Sequence, residues 1–271
     1  IRSGIDCVNK NNGVIIADVV GLSKSVIASA IAHNLKMSTI IITPPHLKSQ
    51  WQDYATRFKI PGAHVESGGK IQYLHEHYAK DSEPKLYIID EAHRYRNELT
   101  DDYQWLHQLT RSHPDNKVLL LTATPYNNRP QDLFAMVKLF QTPSRSTINS
   151  VDNLGLRFDD LIVQYRKLEK EGKKALTPEI REELHKLSRE LRLLIEPIVI
   201  RRSRIDLKEI KEYADDLQNQ GIEFPDVVGP ELLEYDLGNI LELYIATLEK
   251  ITDAEQGFSG ARYQSASYIR D

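Results

Sequence analysis

Four short apolar runs, residues 14–17, 39–42, 86–89 and 118–121, are continuous rather than alternating. A strand with one face in water alternates apolar and polar side chains. Runs without alternation belong to strands buried on both faces, the condition of a parallel sheet covered by helices. The segments between them supply such helices. Ile27, Ile31 and Leu35 repeat at helical spacing between the first two runs, and Leu47, Trp51, Tyr54, Ala55 and Phe58 do so between the second and third. At these spacings Trp51 and Phe58 read as helix core rather than as rings for base stacking. The expected fold is α/β, a parallel sheet flanked by helices that takes its ligands at the carboxyl ends of the strands.

Polar chemistry sits at those ends. The run 86–89 leads into Asp90-Glu91-Ala92-His93, and the run 118–121 into Thr122-Ala123-Thr124-Pro125. Asp90 could hold a magnesium ion through its water shell, and Glu91 could take the proton from a water attacking a terminal phosphate. Upstream, residues 13–18 lead into Val19-Val20-Gly21-Leu22-Ser23-Lys24-Ser25, with a helix expected from about Val26. Such a loop holds phosphates through converging backbone N–H groups, while Lys24 reaches the β and γ oxygens and the Ser25 hydroxyl reaches magnesium. One position departs from the pattern. The residue before the lysine is normally glycine, and Ser23 should crowd the ligand or strain the loop.

Together these segments resemble the helicase-like ATPases of the Swi/Snf type, within the DEAH-box class of helicases and translocases. The resemblance rests on Asp18 to Ser25, on the acidic box at 90–93, and on Leu121-Thr122-Ala123-Thr124-Pro125 with Tyr126-Asn127-Asn128. Ile41-Ile42-Thr43-Pro44-Pro45 with Gln50-Trp51 looks like the family's first nucleic-acid-contacting element, and Ile200-Arg201-Arg202-Ser203 like its paired-arginine segment. The resemblance implies a P-loop, RecA-like lobe using ATP and Mg2+, with double-stranded DNA as partner. Lys24, Asp90 and Glu91 would be catalytic, and Gly21, Leu22, Ser23, Lys24 and Ser25 would bind nucleotide. Ser25 and Asp90 would hold the metal. His93, Thr122 and Thr124 would couple nucleotide state to DNA grip. Nucleic acid would meet Thr43, Pro44 and His46 at a helix N-terminus. Apart from the resemblance, and on its glycines, Ser67-Gly68-Gly69-Lys70 could form a backbone nest before another helix; the alternative for either segment is a plain turn.

Such enzymes close two lobes on ATP, and no second set of motifs follows Arg202. The family's adenine-reading glutamine would lie upstream of Ile1. The expectation is a fragment, with the second RecA-like lobe of the same protein as its missing partner and weak or no turnover alone. Residues 1–140 are expected to form the ATP-binding lobe, 141–204 a helical protrusion with its return to the lobe, and 205–271 the linker and start of the second lobe.

The segment 142–153, rich in Ser, Thr, Asn and Pro, reads as a loop. Beyond it, Thr177-Pro178 reads as a helix cap and first position. Ile180, Leu184, Leu187, Leu191, Leu194 and Ile198 follow as one stripe, with Pro197 perturbing its end. The resemblance identifies this region as the helical protrusion. The charge run 166–174 reads most simply as a solvated face, with DNA contact as the second reading. Arg201, Arg202 and Arg204 would pair with acidic residues of the lobe or touch a phosphate backbone. A charged helix is expected over 206–216, ended by Gly221-Ile222-Glu223-Phe224-Pro225.

Thirty-five basic against thirty-nine acidic residues give a net charge of −4, which argues against a generally basic coat and leaves room for a local stripe. No apolar run has the length of a membrane span or the flanks of a signal peptide. One cysteine, Cys7, excludes an internal disulfide framework. The expected location is intracellular, in the cytoplasm. The leading functional expectation is an ATP-dependent double-stranded DNA translocase. The alternative is a nucleotide-sensing scaffold without hydrolysis, suggested by Ser23. A metabolite kinase would share the phosphate loop but would not explain the acidic box and Thr-Ala-Thr together.

Overall fold

All four apolar runs form strands in the computed structural model, which describes residues 1–18, 24–123, 129–148, 153–173, 175, 177–202, 210–219, 221 and 229. They are Gly13–Ile16 (β1), Thr39–Thr43 (β2), Leu86–Ile89 (β4) and Lys117–Leu121 (β5). Two further strands, His64–Ser67 (β3) and Val199–Ile200 (β6), complete a six-stranded, all-parallel sheet of order β3-β2-β4-β5-β1-β6.

Both faces of the sheet are covered, which is why the runs do not alternate. Val14 and Ile16, Ile41, Leu86 and Ile88, and Leu119 and Leu121 pack on one side with Arg2–Asn11 (α1), Lys24–Leu35 (α2) and Lys48–Arg57 (α3). Ile15, Ile40 and Ile42, Tyr87 and Ile89, and Val118 and Leu120 face the other side. That side is closed by Ile71–Tyr78 (α4), Asp101–Thr110 (α5), Pro130–Lys138 (α6), Leu154–Gly172 (α7) and Pro178–Ile195 (α8). Trp51 is 1% exposed in the first cluster, and Phe58 packs against it.

Residues after the fifth strand build a helical layer and then return to the sheet. Asn153 caps α7 by accepting the Leu156 N–H at 3.1 Å, and Thr177 caps α8 through Ile180 N–H. Leu187, Leu191 and Leu194 are buried with Phe158 and Leu161 of α7, while Ile180 and Leu184 near the start of α8 are half-buried. Pro197 falls in a 3-10 turn, Glu196–Ile198, that ends α8 and delivers β6 beside β1. Ala17 N–H then donates to Ile200 O at 2.7 Å.

Two local expectations change. The helix after the phosphate loop starts at Lys24, two residues before Val26, so Lys24 and Ser25 belong to its first turn. The late charged helix runs Lys211–Asn219, past Asp216, while residues 203–209, including Arg204, lie outside the described residues. Gly221 follows with φ 64° and fits the expected stop. No described helix is long and apolar enough to cross a membrane.

Candidate active site

Three loops leave the carboxyl edge of adjacent strands. The acidic box follows β4, Thr122 follows β5, and Asp18 opens the phosphate loop after β1. Thr122 is fully buried, and its N–H donates to Ile16 O at 3.1 Å, which seats the middle loop against β1. Gly21, Leu22 and Ser23 of the phosphate loop, and Thr124, lie outside the described residues.

Asp90 is 7% exposed, and both of its carboxylate oxygens accept hydrogen bonds. Oδ2 accepts from Trp51 Nε1 at 2.8 Å and from Thr43 Oγ1 at 3.4 Å, and Oδ1 accepts from Glu91 N at 3.0 Å. The backbone is fixed as well, since Asp90 N–H donates to Ile42 O at 2.8 Å. Glu91 is left-handed, φ 51° and ψ 47°, a conformation that costs a non-glycine residue roughly 1–2 kcal/mol. It opens the 3-10 turn Ala92–Tyr95, closed by Arg94 N–H to Glu91 O at 3.0 Å. His93 Nδ1 stands 3.1 Å from Glu91 Oε2, and both side chains are 39% exposed.

On the other side, Lys24 Nζ donates to the backbone oxygen of Asp18 at 3.1 Å. The Asp18 side chain is fully buried and accepts from Arg202 N at 2.8 Å and Nε at 3.3 Å, and also from Nη2. One member of the predicted arginine cluster therefore pairs with an acid of the lobe.

The two predicted nucleic-acid segments are brought together. Thr43 and Ser67 are register partners on β2 and β3. Glu66 ties the segments to each other, its Oε1 accepting from Lys48 Nζ at 2.7 Å and from Ser67 N at 2.9 Å. The Lys48 ammonium holds the Glu66 carboxyl below its ordinary range. Thr43 is 1% exposed with its hydroxyl toward Asp90, and Pro44 is buried, whereas His46 and Gly69 are exposed. Neither Gly68 nor Gly69 has a positive φ, and residues 68–70 form a 3-10 turn before α4 rather than a nest of alternating hand. Gly68 is needed for space, because a Cβ there would overlap the Tyr95 hydroxyl.

The sequence reading missed Trp51 as a donor to Asp90, and Asp18, Glu66 and Tyr95 as organising residues. Only the first carried a local signal, since a buried indole N–H must find an acceptor. A cleft of about 740 Å³ beside the acidic-box segment, lined by residues 96–99, Arg129 and Arg166 among others, includes none of the predicted site residues.

The residues present fit magnesium. Among the described residues no group of three or more His, Cys, Asp or Glu could hold a metal. Magnesium is commonly held by one or two protein oxygens together with phosphates and water, and Asp90 and Ser25 are oxygen donors of that kind.

A family model described as the SNF2-related domain matches residues 70–218, more than half of the chain. That span contains the acidic box, Thr122 and Arg202. Over 159 residues the chain is 35% identical to the uncharacterized ATP-dependent helicase YqhH of Bacillus subtilis (strain 168), a match covering 49% of this chain and 27% of that protein. The chain thus spans about a quarter of its curated relative's length. Among solved structures it is similar to the Sulfolobus solfataricus SWI2/SNF2 ATPase core in complex with dsDNA. The TM-score is 0.50 at 17% identity, over 74% of this chain and 42% of that one, a likeness of fold.

Proposed function

The chain belongs to the SNF2-related domain family and is a helicase-like ATPase domain, and from that premise we propose that it is the first RecA-like lobe of an ATP-dependent translocase on double-stranded DNA. The observation that carries the proposal is the order of segments along one sheet edge. Lys24 and Ser25 open α2 after β1, Thr122 follows β5, and Asp90 and Glu91 follow β4, with β5 between the other two strands. A nucleotide crevice belongs at such an edge.

In this reading Lys24 exchanges the Asp18 carbonyl for phosphate oxygens, and Ser25 and Asp90 hold magnesium. When bound, the ion would neutralise charge on the phosphates. Glu91 accepts the proton of the attacking water, and His93, 3.1 Å from its carboxylate, carries the state of that proton toward the rest of the loop. Residues 1–140 form the ATP-binding lobe, residues 141–204 its helical protrusion and return, and residues 205–271 the passage toward a second lobe. DNA approaches the paired ends of β2 and β3, where His46, Gly69 and Lys70 are exposed.

The test is ATP turnover by the full-length protein with and without duplex DNA. Stimulation by duplex is expected. Glu91→Gln should lower turnover by about 10²–10⁴-fold with magnesium–nucleotide binding retained, whereas Asp90→Ala should weaken that binding. The 271-residue chain alone should stay far below about 1 per second, because the arginines of a second lobe are worth roughly 10³–10⁵ in rate. Nucleotide binding without turnover in the full-length protein would favour the second reading, a nucleotide-sensing scaffold, to which Ser23 points.

A further inference from the structure

Trp51 is 1% exposed in an apolar cluster with Ile41, Ile88 and Leu86, yet its Nε1–H leaves that cluster to donate to Asp90 Oδ2 at 2.8 Å. A phenylalanine would fill most of the same space and leave nothing to satisfy. The indole N–H requires an acceptor once buried, and the acceptor is the carboxylate assigned above to magnesium. Thr43 Oγ1 reaches the same oxygen at 3.4 Å, while Oδ1 takes the Glu91 N–H at 3.0 Å. Two of the three donors that orient Asp90 therefore come from β2 and α3, the elements on either side of the His46 turn.

We propose that Trp51 is a positioning residue for Asp90, its indole N–H holding the carboxylate in the orientation that magnesium–nucleotide requires. The inference deepens the function proposed above and rests on it. Trp51 touches neither metal nor phosphate in this role and acts through Asp90. Hydrogen-bond partners of ligating groups are typically worth 10- to 100-fold in metal affinity or activity.

The experiment is calorimetric binding of a non-hydrolysable ATP analogue to the full-length protein and to its Trp51→Phe variant, each with magnesium and with EDTA. In the variant, the gain in affinity that magnesium brings should fall by about tenfold, with affinity in EDTA unchanged. A packing defect alone would weaken binding equally with and without the metal. That result overturns the proposal, as does a magnesium gain equal in the two proteins. Wild-type protein that binds no nucleotide would remove the proposed function and this inference with it. Should Trp51→Phe fail to fold, the indole ¹⁵N–¹H resonance of Trp51 in the wild-type 271-residue chain decides, assigned by removing that chain's other tryptophan with Trp105→Phe. It should move when magnesium is added to the nucleotide complex, and a resonance that stays in place overturns the proposal.

Discussion

The acidic-box side and the phosphate-loop side of the site sit on strands flanking β5, but they are held in opposite ways. Asp90 is oriented by neutral donors, Trp51 and Thr43, from elements packed in the same layers of the lobe. Tyr95, five residues on, rests against Gly68, and Glu66 pins the neighbouring turns. Asp18, at the root of the phosphate loop, depends on a charged partner that arrives 184 residues later, Arg202. The acidic box is thus preset by the lobe's own core. Asp18, just before the proposed phosphate loop, is held by whatever positions the chain's return from the helical layer.

The sharpest way to break this contrast is Arg202→Leu. Asp18 is fully buried and the Arg202 side chain is 28% exposed, so removing the arginine strands a buried carboxylate. Stability should fall by about 3 kcal/mol in denaturant unfolding, with Asp18→Asn on that background recovering part of it. A loss under about 1 kcal/mol would mean that the anchor is not the ion pair. Next comes the loop itself. If backbone must approach phosphate at position 23, Ser23→Gly should tighten ATP binding by about 1–3 kcal/mol, read by calorimetry with magnesium. Unchanged or weaker affinity would show that serine works there.

Two smaller effects probe the other side. Gly68→Ala would push a methyl group into the Tyr95 hydroxyl, whose pKa burial raises to about 12. It should cost about 1 kcal/mol in thermal or denaturant unfolding, and Tyr95→Phe in the same chain should restore it. Failure of that rescue would place the strain elsewhere. The smallest effect is electrostatic. Glu66 titrates below its ordinary value of 4.5 because Lys48 stabilises its charged form. Its contribution is therefore present above that pH and lost as the pH falls through the lower folded value. Wild type should exceed Glu66→Gln in stability by less than about 1 kcal/mol near neutrality, the difference closing in acid. A gap that persists in acid would make the role of Glu66 one of packing.

What could be read from the sequence follows burial. β1, β2, β4 and β5 announced themselves because both faces are covered and apolar. β3, His-Val-Glu-Ser, is an edge strand with three of its four residues only half-buried, and β6 is two residues long after Pro197, so neither leaves a run to detect. The acidic box and Lys24 were visible as contiguous motifs. Trp51 was rightly read as core, but its second task was hidden because its acceptor lies 39 residues away. Asp18 and Arg202 were each quoted within a motif, and nothing in one-dimensional spacing says that they meet.

The late arrival of β6 also matters for biosynthesis. Until residues 199–200 have been made, β1 has no neighbour on its outer side, and Ala17 N–H lacks the Ile200 oxygen it bonds in the finished fold. At roughly 5–20 residues per second, the 184 residues from Asp18 to Arg202 take about 10 to 40 seconds to emerge. During that interval the nascent chain presents an unpaired, strongly apolar strand edge, the kind of surface that templates association with other chains. Slowing translation across the helical layer should therefore raise aggregation of the unfinished polypeptide, a cost of placing the last described strand against the first.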